Sequence, residues 1–117
     1  MHTLNFKESE FACKCCGVTK PSSELMAVLE LVRMRFNAPV TVNSSYRCEK
    51  HNAAVGGAKA SKHLLGIAAD IVVKGVEPAM VYQFIDSVFP EHYGLGVYNS
   101  FTHIDVRQVK ARWDNRS

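Results

Sequence analysis

The sequence predicts an α+β fold: one small domain over residues 1–117, built as a central, mostly antiparallel sheet with helices packed against it. Three observations lead there. Two stretches, at 25–36 and 80–88, carry apolar residues at helical spacing. Several short apolar or alternating runs, at 40–42, 67–73, 93–98 and 101–107, read as strands. Helices and strands do not alternate in the regular manner of βαβ units. At 117 residues the chain is long enough for a single core without further staples.

Leu4 to Phe11 reads as a short extended lead-in, with Phe6 and Phe11 as core anchors. A cysteine-rich loop follows. Thr19-Lys20-Pro21-Ser22-Ser23-Glu24 is a helix start: proline near the first turn, serines able to cap, and Glu24 favoured at the positive end of the dipole. The helix runs to about Phe36, with Leu25, Val28, Leu29, Val32 and Phe36 as its buried stripe. Met26 and Met34 are expected to fill core space. Asn37-Ala38-Pro39 stops the helix.

Val40-Thr41-Val42 is a short strand leading into Ser44-Ser45-Tyr46-Arg47, a strand end of the kind that carries function on its loop. Cys48 to Val55 is expected to form one or two helical turns. Gly56-Gly57-Ala58-Lys59-Ala60 is a flexible loop; no Gly-Lys-Ser/Thr follows it, which argues against a phosphate-binding loop. Ile67 to Val73 is nearly all apolar, as a central strand should be. Val76-Glu77-Pro78 opens a second helix, from about Glu77 to Val88, with Met80, Val81, Phe84, Ile85 and Val88 as its core face. Tyr93–Tyr98 and Phe101–Arg107 read as two strands joined at Asn99-Ser100. From Arg107 onward the chain reads as a polar tail, with Trp113 available to pin it to the body.

The richest stretch is Ser61-Lys62-His63-Leu64-Leu65-Gly66-Ile67-Ala68-Ala69-Asp70. A loop that turns at Gly66 and then enters a strand can bring the His63 imidazole and the Asp70 carboxylate to one point, and Ala68 and Ala69 leave room for the approach. In Phe101-Thr102-His103-Ile104-Asp105-Val106, alternation puts His103 and Asp105 on one strand face. His63, Asp70 and His103 together supply two nitrogens and one oxygen, the three protein ligands of a catalytic zinc with its fourth position left for water.

Ser61-x-His63-x-x-Gly66-x-Ala68-x-Asp70 resembles, at every fixed position, the first metal motif of the zinc D-Ala-D-Ala peptidases, the M15-type carboxypeptidases and phage endolysins. His103 then corresponds to that family's third ligand. Ser44-Ser45-Tyr46-Arg47-Cys48, with His51 to Gly57 after it, resembles the segment that supplies a substrate-binding arginine. Gly94-Leu95-Gly96-Val97-Tyr98 and Ala111-Arg112-Trp113 are similar to short members of the family. The resemblance implies one catalytic Zn2+ on His63, Asp70 and His103, and Arg47 as a clamp for a substrate carboxylate. It implies Ser61 near the metal or the substrate. The reaction it implies is hydrolysis of peptide bonds involving D-amino acids in peptidoglycan stem peptides, by a carboxypeptidase or a cell-wall endopeptidase. A non-catalytic zinc-binding module on the same fold is the alternative.

Many relatives carry a glutamate base three residues before the last histidine ligand; here that position is Ser100. Asp105 is taken as the general base, its competing role being to orient His103 or pair with Arg107. Glu91 and His92 are held in reserve. Cys13, Cys15, Cys16 and Cys48 allow three readings. They are a second, structural zinc site, not the favoured one, which would make the chain a cysteine–zinc interaction module; a disulfide from the cluster to Cys48; or small buried thiols.

The formal charge of +3 is too small to argue nucleic-acid binding, which usually shows a basic stripe or patch. No stretch is long and apolar enough to span a bilayer. Met1 to Glu10 lacks the apolar core of a signal peptide. The expectation is a chain made in the cytoplasm that meets the cell wall after release or export. A monomer is expected, since no long exposed apolar element stands out.

Overall fold

The computed structural model describes residues 5–6, 12–13, 22–45, 49–55 and 67–117. The elements in chain order are α1 (Ser23–Phe36), β1 (Val40–Ser44), α2 (Glu49–Ala54), β2 (Ala68–Val73), α3 (Pro78–Val88), β3 (Gly94–Val97), β4 (Thr102–Asp105) and β5 (Ala111–Asp114). The five strands form one sheet in the order β1-β2-β4-β3-β5. Three of the pairings are antiparallel, and β3–β5 is parallel. This is the α+β architecture the sequence predicts, with helices packed against a mostly antiparallel sheet.

α1 forms where its punctuation places it. The Ser22 hydroxyl accepts a hydrogen bond from the Leu25 amide at 3.2 Å, which satisfies one of the free donors of the first turn. At the other end Asn37 adopts a left-handed conformation with φ 47°, and its amide donates to the Arg33 carbonyl. Leu25, Met26, Val28, Leu29 and Val32 are buried. α3 starts on Pro78, whose missing amide costs nothing at a first helical position. It buries Val81 and Ile85, and Phe84 meets Phe36 of α1 edge to face at 5.7 Å. Each fully buried aliphatic side chain of this kind contributes roughly 1.5–3 kcal/mol.

α1 and α3 cover one face of the sheet. Val42, Ala69, Ile71, Val73, Leu95 and Ile104 meet α1 and α3 there in a single apolar core. Phe6 joins that core as expected. Beside it, the Asn5 amide and side-chain nitrogen donate to the Glu30 carboxylate at 2.6 and 2.7 Å and tie the lead-in to α1. Phe11 lies outside the described residues.

Four expectations are corrected. Met34, Met80 and Val88 are exposed, not core. Met34 lies on the side of α1 away from its buried residues, Met80 lies at the edge of the buried face of α3, and Val88 is the last residue of that helix. Residues 111–114 are a strand, not part of a polar tail: β5 pairs in parallel with β3, and Trp113 does pin it, as anticipated.

Candidate active site

The second face of the sheet carries the buried charged groups Asp70, His103 and Asp105. Asp70 of β2 and His103 of β4 are directly opposite each other across an antiparallel ladder. Period-two alternation then places Asp105 on the same face as His103. Their cross-strand partners on this face are small: Ala68 and Gly94 flank Asp105, and Gly96 lies beside His103. The small neighbours leave room for this polar constellation on the sheet, while the intervening Ile104, Ala69 and Leu95 point into the core.

His103 is held from both ring nitrogens. Nδ1 lies 2.9 Å from Asp70 Oδ1, and Nε2 lies 2.8 Å from Asp105 Oδ2. Burial alone would disfavour a charged ring, but hydrogen bonds to Asp105 and Asp70 outweigh it, so the imidazolium is favoured over its ordinary balance. Any metal taking Nδ1 must therefore displace a proton.

Asp105 is fully buried, and Arg107 locks it. Nε of Arg107 donates to Oδ1 and Nη2 to Oδ2, each at 2.7 Å, and the Arg107 amide donates to Oδ1 at 3.2 Å. Burial pushes the Asp105 carboxyl up; the bonds from Arg107 and His103 push it further down, well below the usual carboxylate range. With His103 on Oδ2, the roughly four acceptor positions of a carboxylate are all taken. None is left to receive a proton from water, which matches the pairing role that the sequence also allowed for Asp105.

Two glycines make the arrangement possible. A methyl group on Gly94 would lie within 2.6 Å of both Asp105 carboxylate oxygens and of Arg107 Nε. One on Gly96 would collide with the indole of Trp113. That indole lies 5.1 Å from the His103 ring, is capped by the Arg107 guanidinium at 5.5 Å, and donates its N–H to the Tyr98 hydroxyl at 3.0 Å. Arg107, Gly94, Gly96 and Trp113 escaped the reading of the sequence as site residues. The signal for Arg107 was present: His103, Asp105 and Arg107 recur at period two.

Near the other edge of this face, β1 carries a register shift between Val42 and Ser44, which brings Ser44 opposite Asp70. Bulges of this kind commonly re-aim the chain beside functional sites. The next residue, Ser45, is buried and donates its hydroxyl to the Ala68 carbonyl at 2.8 Å, fixing the strand end that leads toward residue 47.

His63, Ser61 and Arg47 lie outside the described residues, as do Cys15, Cys16 and Cys48; Cys13 is buried. Glu91 and His92 are exposed in the loop between α3 and β3. His92 lines a cleft of about 230 Å3 with Glu24, Tyr93, Arg107 and Gln108. Neither side chain bonds to Asp70, His103 or Asp105. Ser100 lies at the β3–β4 turn, in a separate groove with Val76, Pro78 and Asn99.

Asp70 and His103 fit a zinc ion. They are buried carboxylate and imidazole donors, and their facing atoms are 2.9 Å apart. Two ligand atoms on a tetrahedral zinc stand about 3.3 Å apart, given bonds of about 2.0–2.1 Å. Among the described residues no group of three or more histidine, cysteine or acidic side chains converges as a metal cage.

A family model described as Peptidase M15 matches residues 4–105. A comparison with curated proteins finds no match.

Proposed function

The chain belongs to the peptidase M15 family, and from that premise we propose that it is a zinc-dependent hydrolase of peptide bonds involving D-amino acids in peptidoglycan. The observation that carries this reading is the pair of facing donor atoms on β2 and β4, Asp70 Oδ1 and His103 Nδ1, on the sheet face away from the core. His63, seven residues before Asp70, is assigned as the third ligand. Zinc, when bound, supplies a Lewis acid that polarises the scissile carbonyl and lowers the pKa of water.

The protein's own groups do the rest. Asp70 and His103 hold their donor atoms at fixed separation on paired strands, so little reorganisation is needed on loading. Arg47 binds a carboxylate of the stem peptide through its guanidinium fork, which orients the scissile bond. Ser61 hydrogen-bonds near the metal or the substrate. The stem peptide lies beside Asp70 and His103, on the sheet face away from the core. The same partner accounts for the expected setting: a monomer that reaches the cell wall after release or export and engages neither nucleic acid nor a bilayer.

The test is digestion of purified peptidoglycan by zinc-loaded protein, with products read by mass spectrometry, beside His63→Ala and a chelated sample. Loss of one terminal alanine assigns a carboxypeptidase; separation of stems or cross-linked dimers assigns an endopeptidase. A second reading has its own support. Ser100 stands where relatives carry a glutamate, and the acceptor positions of Asp105 are filled. Protein that binds zinc stoichiometrically yet releases nothing from several wall types is a non-catalytic zinc-binding module.

A further inference from the structure

We propose that Arg107 is a positioning residue for the metal centre. It acts through Asp105 to hold the His103 ring with Nδ1 turned toward Asp70. The inference rests on the zinc reading above and goes beyond it, since Arg107 lies past the residues that the family model covers.

The geometry is a chain of contacts along β4. Arg107 grips the Asp105 carboxylate with two parallel bonds of 2.7 Å from Nε and Nη2, a fork that fixes the carboxylate plane as well as its place. The carboxylate so fixed meets His103 Nε2 at 2.8 Å. With Nε2 bonded to Asp105, Nδ1 is the nitrogen turned toward Asp70 Oδ1, the other proposed ligand. Histidine ligands commonly need such a carboxylate on the second nitrogen to set ring orientation and basicity. Here that carboxylate is itself oriented. Trp113 backs the arrangement by touching both ends of it, the His103 ring and the Arg107 guanidinium. Gly94 supplies the space in which the Arg107–Asp105 bonds form.

A merely structural role, neutralising the buried Asp105 charge, makes a different forecast. Lysine at position 107 would still neutralise Asp105 but could not grip it in a plane. The experiment compares wild type, Arg107→Lys and Arg107→Gln, each checked for folding by circular dichroism. Three quantities are read: zinc affinity by chelator competition, the visible spectrum of the cobalt-substituted protein, and the hydrogen-bonded His103 Nε2 proton in NMR spectra of the zinc-free protein. Positioning requires both variants to lose roughly 10- to 100-fold in zinc affinity, to alter the cobalt spectrum, and to lose the protected Nε2 proton. A folded Arg107→Lys protein with wild-type affinity, cobalt spectrum and Nε2 signal overturns the proposal. The readouts separate it from the activity itself. A wild type that binds zinc but does not turn over overturns catalysis and leaves affinity to decide the role of Arg107. If the wild type takes no zinc, the proton signal alone decides whether Arg107 holds the ring.

Discussion

Gly94 stands directly opposite Asp105 in the β3–β4 ladder, and the buried carboxylate with its arginine partner fills the space that a side chain on Gly94 would need. The backbone of Gly94 is not left-handed, so the requirement for glycine here is one of volume. Gly94→Ala is expected to destabilise the fold by about 1–3 kcal/mol, the usual cost of overpacking a filled site. It should also weaken zinc binding, because the atoms that must yield are the ones that hold Asp105. Urea unfolding and chelator competition on the same preparation check both.

Asp105→Asn separates a base from an orienting group. Loss of a general base lowers turnover by roughly 10²- to 10⁴-fold at any zinc concentration. Loss of an orienting carboxylate acts chiefly on metal affinity, so turnover at saturating zinc is expected to stay within about tenfold of wild type. A zinc titration of peptidoglycan hydrolysis reads the difference. Turnover lost at every zinc concentration would return Asp105 to the role of base. A variant that keeps activity leaves Glu91 and His92 as the next substitutions.

Stability should fall in alkali through Tyr93. Burial, and then the 2.7 Å hydrogen bond to Glu24, push its phenol up from 10 to about 12. A folded-state pKa above the unfolded one stabilises the fold below the unfolded value. The contribution is then lost as pH rises, here between pH 10 and about 12. Ionising the phenol removes the donor and sets a second negative charge against Glu24. Thermal unfolding from pH 9 to 12 is expected to steepen in that window for wild type and to lose that component in Tyr93→Phe.

Arg112 should be a stability residue with no direct part in the chemistry. From β5 it bonds to the Asp86 carboxylate and to the carbonyls of Phe89, His92, Tyr93 and Ala111, closing the turn between α3 and β3. Bonds from a charged donor are worth about 1.5–3 kcal/mol each and are not additive. Arg112→Ala is expected to cost about 2–4 kcal/mol in urea unfolding, with zinc affinity of the folded fraction unchanged. Arg112→Lys should recover little, because one ammonium cannot reach five acceptors set around a planar fork.

How much of this was legible in the sequence differs by element. α1 and α3 were readable because proline, serine and asparagine mark their ends and their apolar spacing matches a helix. Met34 was misplaced because its apolar character was weighed over its position, which lies across α1 from the buried stripe; Met80 was misplaced because periodicity shows which side of a helix is apolar but not how wide a neighbour will cover it. β5 was missed because a four-residue edge strand carries too little apolar pattern, and its pairing with β3 is a tertiary choice. Asp70, His103 and Asp105 were readable from spacing and strand alternation, and they share one face. That both nitrogens of His103 are engaged, and that Arg107 fills Asp105, depends on distances that no linear pattern encodes.

The pairing of Asp70 with His103 joins residues from strands far apart in the chain, and it ties the proposed metal site to the alignment of β2 on β4. Sliding one strand by a single residue turns every side chain on it to the other side of the sheet. Such a slip would drive a carboxylate or an imidazole into the layer filled by Ile71, Leu95 and Ile104, and it would scatter the donor atoms. On the proposed zinc reading, only the native alignment brings these donor atoms together, so zinc capture by a refolding chain would report that β2 and β4 have found their correct alignment.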